Sequence, residues 1–318
     1  MGPQTDQSRR MRVTGLRWEA EGVCSLELRP AEGGPLPVWE AGAHIGIRLG
    51  NGMERTYSLC SDPADTSKWR VAVLRQRSSR GGSRWIHERL RPGDVLTVDA
   101  PANNFPFAPG RDLTLFVAGG IGITPLLPMI RECRAAGRPW RLLYLGRSLD
   151  RMAFLGDPLL TGPVDIVAED RDGRADPARW LGRVTEATRV YACGPEGLLS
   201  ALDESSLGWP PGTLRVERFQ ARAATGPVSA EAFEVECRRS GVTVAVDPET
   251  SVLAALETAG VAVASSCREG ICGSCETPVI DGEPDHRDSV LSREERAANE
   301  TVLICVSRAR TPRLVLDL

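Results

Sequence analysis

Residues 267–275 read CREGICGSC, and a further cysteine follows thirty residues on, at Cys305 in the triplet LIC. Cys267, Cys272 and Cys275 have the C-x4-C-x2-C spacing of plant-type iron-sulfur ligation. Four thiolates that must converge from one tight loop and one distant point demand a fold that returns the chain to that loop. Gly270 and Gly273 stand where backbone amides need to approach sulfur. A zinc site or buried structural cysteines are the competing readings; zinc usually shows two C-x2-C pairs or added histidines, and one such pair occurs here. The remaining Cys24, Cys60, Cys133 and Cys237 read as small core residues.

Outward from this run, the chain of 318 residues is long enough for two or three domains. Nine cysteines are too few for a disulfide scaffold, and their crowding near the C-terminus fits metal binding in a reducing compartment. The start MGPQTDQSRRMRV has no apolar signal core, so a cytoplasmic location is expected. The uncharged run from Leu113 to Ile130 is interrupted by glycines and prolines, against a membrane span. Residues 229–318 hold 16 acidic and 9 basic residues, net −7, which leaves the rest of the chain at +4. That small basic excess has no aromatic or arginine-rich stripe, so nucleic acid is not an expected partner.

Short alternating runs at Met11–Trp18, Val23–Arg29, His44–Leu49, Arg55–Cys60, Trp69–Leu74 and Val95–Asp99 predict six strands and a small antiparallel barrel. Beyond Gly110 the pattern becomes buried strands alternating with helices, at Leu113–Val117, Arg141–Leu145, Val164–Ala168, Arg189–Cys193 and Leu214–Arg218. Alternation of this kind predicts a doubly wound parallel sheet. Ala221–Ala230 has linker composition. A third domain follows, with strands Phe233–Arg238 and Val242–Val246 and a helix Ser251–Ala259 closed by Gly260.

Three further motifs carry chemistry. Gly119, Gly120 and Gly122 lie between the strand LTLFVA and a helix, where glycines let backbone close on a dinucleotide phosphate. Thr124 is placed to cap that helix, Pro125 to open it, Pro128 to bend it and Gly137 to end it. Turns of this kind are also often only structural. Cys193-Gly194-Pro195 ends a later strand and opens a helix facing the same crevice. In the barrel, Arg55-Thr56-Tyr57-Ser58 offers a cation for phosphate, an aromatic face for a flat ring and a hydroxyl for its edge, though it is equally a common strand sequence. Arg80-Gly81-Gly82-Ser83, before the helical WIHERL, offers amides to a phosphate.

Together, RTYS, GGS, GGIGITP, CGP and the four cysteines resemble the phthalate dioxygenase reductase type within the ferredoxin-NADP reductase superfamily, with vanillate O-demethylase reductases close to the same pattern. The resemblance covers nearly the whole chain. It implies an antiparallel β-barrel flavin domain over residues 1–105, a doubly wound α/β parallel-sheet nicotinamide domain over 106–222 and an α+β β-grasp ferredoxin domain over 229–318. By the same resemblance Arg55, Thr56, Tyr57, Ser58, Gly81, Gly82 and Ser83 hold FMN. Gly119, Gly120, Gly122 and Thr124 hold NADH, Cys193, Gly194 and Pro195 lie near nicotinamide and flavin, and Phe219 lies near the flavin ring. Ser58, Thr124 and Cys193 are the candidates for direct participation in hydride transfer. The implied function is electron transfer from NADH through FMN and a [2Fe-2S] cluster to a terminal oxygenase of Rieske type, docked on the acidic ferredoxin domain of a monomer. A cytochrome P450 acceptor and a non-enzymatic redox sensor are the alternatives. Ser274 and Pro128 depart from what relatives often carry. Arg147 and Arg151 would suit a 2′-phosphate, whereas Glu169, Asp170 and Asp172 offer acidic partners; NADH is the expected donor.

Overall fold

The structure, a computed structural model, describes residues 8–76, 81–221 and 231–318. The sequence readings at Arg80 and along the linker beyond Ala221 lie outside the described residues. The chain divides into two compact units, Met1–Glu217 and Arg218–Leu318.

The first unit opens with six strands: β1 (Arg9–Ala20), β2 (Val23–Pro30), β3 (His44–Arg48), β4 (Glu54–Ser58), β5 (Trp69–Leu74) and, after helix α1 (Gly82–Arg89), β6 (Val95–Val98). All pairings are antiparallel, in the order β4-β3-β6-β1-β2-β5. The two edges meet through an antiparallel bridge between Leu59 and Val71, with the Cys60 amide on the Arg70 carbonyl at 2.8 Å, so the sheet closes into the expected barrel. The period-two pattern turns Met11, Val13, Leu26, Leu28, Ile45 and Ile47 inward, each fully enclosed. Each such side chain contributes about 2 kcal/mol by leaving water.

Five parallel strands follow: β7 (Leu113–Gly119), β8 (Trp140–Gly146), β9 (Val164–Ala168), β10 (Thr188–Cys193) and β11 (Leu214–Glu217), in the order β11-β10-β7-β8-β9. Helices α2 (Leu126–Ala135), α3 (Glu169–Asp172), α4 (Pro177–Leu181) and α5 (Glu196–Ser205) connect them. The order reverses at β7, so the ends of β7 and β10 flank the topological switch point. Ala41, Cys60, Ala72 and Phe105 from the barrel side share one core with Phe116, Met129 and Tyr144 of the α/β layer.

Two local expectations are corrected. Thr124 is not an N-cap: a 3-10 turn over Gly120–Ile123 precedes the helix, and the Thr124 hydroxyl donates to the Ile121 carbonyl at 2.9 Å. Because α2 begins at Leu126, Pro128 falls in its first turn, where an amide has no intrahelical acceptor, and the predicted loss of a helical bond does not arise. Gly137 closes the helix as expected, at φ 61 and with the Arg138 amide on the Cys133 carbonyl at 2.9 Å.

The second unit has strands β12 (Phe233–Cys237), β13 (Val242–Val246), β14 (Glu276–Asp281), β15 (Pro284–Asp285), β16 (Thr301–Leu303), β17 (Arg308–Ala309) and β18 (Arg313–Leu316), with helices α6 (Val252–Thr258) and α7 (Arg293–Ala298). Its main sheet runs β13-β12-β18-β14-β16 and is mixed, β12 and β18 being parallel. The α6 helix covers it with Val252, Leu253 and Leu256, starting from a Ser251 cap.

Arg308, 4% exposed, donates to the carbonyls of Glu231, Asp247, Pro248 and Thr250 and lies over the Phe233 ring at 5.0 Å. One guanidinium thus satisfies carbonyls that no strand ladder reaches. Arg308→Met should destabilise this unit by about 3 kcal/mol, read as a shifted midpoint in denaturant unfolding; an unchanged midpoint would mean that these carbonyls are satisfied by solvent.

Candidate functional site

On the barrel, β4 carries the RTYS motif opposite β3, with Ser58 across from His44, Tyr57 from Ile45 and Arg55 from Ile47. Alternation therefore splits the motif, Arg55 and Tyr57 on one face and Thr56 and Ser58 on the other. Burial pushes the Tyr57 hydroxyl pKa up, keeping it a neutral phenol. The Arg55 stem crosses Gly82: a Cβ there would sit 2.7 Å from its Nε and 2.8 Å from its Cγ. The guanidinium is thereby held beside the start of α1, whose cap Gly81 has φ 111 and whose first turn has no acidic residue. Cation and helix N-terminus together suit a phosphate. The Ser83 hydroxyl accepts the Gln76 amide at 3.2 Å.

At the switch point the glycines do something more specific than loosening a loop. A Cβ on Gly122 would lie 2.1 Å from the Cys193 carbonyl oxygen, and one on Gly119 would lie 2.5 Å from Pro195. Gly119 and Gly194 face one another in the same way, a Cβ on Gly194 falling 2.9 Å from the Gly119 Cα. These three glycines join the two strand ends to each other. Gly120, at φ 53, is the one with open space around it. Thr124 is buried and its hydroxyl engaged within the turn, and Pro195 immediately precedes α5.

The joined strand ends bring together residues from both layers. Glu217, last residue of β11, lies with Oε2 3.3 Å from the Ser58 hydroxyl, which donates to it, and 4.0 Å from the Cys193 Sγ. Part of the residue's surface stays accessible, yet its carboxyl is crowded by protein, and desolvation pushes its pKa up to about 8 against the weaker effect of the Ser58 bond. His44, opposite Ser58, is driven down to about 4 by burial and stays neutral at physiological pH. Sequence reasoning missed both; a carboxylate at the C-terminal end of a parallel strand was the available signal. Phe219 lies two residues past Glu217, half-buried, among the first residues of the second unit.

In the second unit, Cys267, Cys272, Cys275 and Cys305 are all free thiols, and Cys272, Cys275 and Cys305 are buried. The Cys267 thiol donates toward Cys272 and holds it in the thiolate direction, and Cys305 does the same for Cys275. Arg268 at φ 55 and Gly270 at φ 67 coil the loop. A Cβ on Gly270 would come within 2.6 Å of the Val306 side chain and 3.1 Å of the Asp288 Cα, so this glycine is what lets the segment bearing Cys305 close on the loop. Among the described residues no three metal-binding side chains converge on a single-ion site. Two thiol pairs suit a two-iron cluster, one pair to each iron.

Fold and site define an electron-transfer oxidoreductase with a flavin-type barrel, a nucleotide-type α/β layer and an iron-sulfur module. Residues 235–310 match the family model of a 2Fe-2S iron-sulfur cluster binding domain. A reductase subunit of the toluene-4-sulfonate monooxygenase system of Comamonas testosteroni is 42% identical, covering 96% of this chain and 98% of that protein. The solved structure of a phthalate dioxygenase reductase, described as modular for electron transfer from pyridine nucleotides to [2Fe-2S], is 37% identical over 100% of both chains with a TM-score of 0.71. An intact type IV self-sufficient cytochrome P450 monooxygenase is 43% identical with a TM-score of 0.90; the match covers 100% of this chain, which spans 43% of that one. The chain belongs to the phthalate dioxygenase reductase family of reductase components that deliver electrons to oxygenases. Among the described residues no helix is long and apolar enough to cross a membrane.

Gly122→Ala must push the two strand ends apart, whereas Gly120→Ala meets only its own left-handed backbone, at about 1 kcal/mol. Thermal denaturation should show a large loss for the first and a small one for the second; equal losses would refute the close-approach account. Since Glu217 keeps its proton up to about 8 in the folded protein, against 4.5 ordinarily, the unfolded chain releases that proton first. Stability should therefore fall as pH rises between these values and level off above, and Glu217→Gln should remove that slope.

Proposed function

We propose that the chain takes a hydride from NADH onto FMN and passes the electrons singly through a [2Fe-2S] cluster to a Rieske-type oxygenase subunit. The observation that carries this is the Glu217 carboxyl shared by Ser58 of the barrel and Cys193 of the α/β layer. It marks one crevice where a flavin edge and a nicotinamide would meet. Residues 1–105 form the flavin domain, 106–222 the nicotinamide domain and 229–318 the ferredoxin domain of a cytoplasmic monomer.

Arg55, Gly81, Gly82 and Ser83 would take the flavin phosphate, Tyr57 would pack along the ring and Ser58 would meet its edge, with Thr56 completing the strand. The flavin, when bound, supplies exchange of two electrons for one, and the cluster carries one at a time. Behind Ser58, Glu217 stays protonated at neutral pH and accepts the Ser58 hydroxyl at 3.3 Å, fixing the orientation of that hydroxyl at the edge of the ring. Gly119, Gly120, Gly122 and Thr124 form the dinucleotide turn, and Cys193, Gly194 and Pro195 the wall at the nicotinamide. Cys267 with Cys272, and Cys275 with Cys305, would each hold one iron.

NADH rather than NADPH is favoured because Arg151 is spent on Glu21 at 2.7 Å, and because the Asp170 amide bonds the Arg147 carbonyl at 3.0 Å, bringing the acidic turn beside it. The 43% identity to the P450 monooxygenase chain favours a second reading, a P450 as acceptor.

The test is anaerobic titration with NADH, followed by addition of a Rieske oxygenase or a P450. Flavin bleaching with reduction of the iron-sulfur absorbance is expected. A chain ending near Thr225 should oxidise NADH with ferricyanide yet fail with the oxygenase, and partner reduction by the full chain should weaken with salt, because steering fields are screened over about 8 Å at physiological ionic strength. A truncated chain that still drives the oxygenase at full rate would overturn the relay.

A further inference from the structure

The chain leaves the sheet at Gly146, the end of β8, and runs through Arg147–Asp157 before the 3-10 turn Pro158–Leu160. This loop is part of the α/β layer, but the barrel holds it at three points. The Glu21 amide donates to the Asp150 carbonyl at 2.7 Å, and the Glu21 carboxylate pairs with Arg151 at 2.7 Å. The Arg70 guanidinium, from β5, lies over the Phe154 ring with its carbon 4.8 Å from the centroid.

Each partner in that last contact is over-determined. The edge of Arg70 is consumed within the barrel: Nη2 meets Glu19 at 2.5 Å, Nε donates to the Ser25 hydroxyl at 3.2 Å, and Ser25 in turn donates to Glu19 at 2.6 Å. With Nε and Nη2 so engaged, the guanidinium turns its face to Phe154. Phe154 is 4% exposed and has φ 64, a left-handed conformation that an aromatic residue rarely adopts. Backbone held in such a region persists where surrounding structure enforces it, and such outliers gather where a segment must keep its position.

The loop so held starts at Arg147 and Ser148, the first residues beyond the C-terminal end of β8, the strand next to β7 on the edge of the sheet where open α/β sheets take their ligands. Met152 occupies the space that a Cβ on Gly146 would need, 2.3 Å away, and the Tyr144 hydroxyl donates to the Ala153 carbonyl at 3.0 Å, so displacement of the loop would be felt at the strand end. We propose that Arg70 and Phe154 are positioning residues for the pyridine nucleotide: the flavin-type barrel, through this cation-ring contact, sets where the loop at the ribose side of the dinucleotide stands. The inference rests on the reading of the crevice as the nucleotide site. It makes nucleotide affinity depend on a barrel residue whose polar edge is already engaged elsewhere.

The experiment uses the full chain loaded with flavin. NAD+ is titrated against the flavin spectrum for a Kd, and flavin reduction is followed in single turnover at saturating NADH. Phe154→Leu, which keeps buried bulk, and Arg70→Lys, which keeps the charge facing Glu19, should each raise Kd about tenfold, with the double variant no worse than either single one. Phe154→Tyr should bind like the wild type, and the limiting reduction rate should change less than Kd. Independent effects that multiply in the double variant, or a lowered Tm with Kd unchanged, would overturn the proposal. Wild-type protein that shows no response to nucleotide would instead refute the crevice reading, and the inference with it.

Discussion

Everything in the first unit depends on two strand ends lying closer together than a side chain allows. With a Cβ on Gly122 only 2.1 Å from the Cys193 carbonyl oxygen, the turns after β7 and β10 can meet solely as bare backbone. That contact places Cys193 where it shares a carboxyl with Ser58, and it sets the ends of β10 and β11 side by side, Cys193 against Glu217 in the parallel register. Glycines usually credited with phosphate contact thus have a prior task here. They build the crevice, and Gly120 alone has open space before it.

Electrostatics follow from this packing. A carboxyl drawn into the junction of two layers loses solvation faster than one hydroxyl can compensate, so Glu217 is an acid that stays protonated at neutral pH. His44, opposite Ser58, is kept neutral by the same loss of water. The surroundings of Ser58 are thereby stocked with neutral groups, while the Arg55 guanidinium stands beside the start of α1. Barrel and α/β layer share a continuous core, with the Arg70 and Phe154 contact among its fastenings.

The second unit solves a different problem with the same residue type. Cys305 lies thirty residues beyond the loop it must join, and Gly270 removes the one side chain that would keep Val306 and Asp288 away. There the Cys267 thiol turns toward Cys272 and the Cys305 thiol toward Cys275.

The sequence by itself determined the strands, because alternation of apolar and polar residues is a local pattern: all six barrel strands and all five parallel strands were legible within a residue or two, as were the four cysteines. It erred where neighbours in space override local signals. Thr124 reads as a cap until the 3-10 turn is known. Only the tertiary structure decided the site's acid, since Glu217 is an ordinary strand residue until the layers close over it. Tertiary structure also decided the purpose of the glycines, because a residue without a side chain shows its reason only in the atoms that come to lie where the Cβ would be.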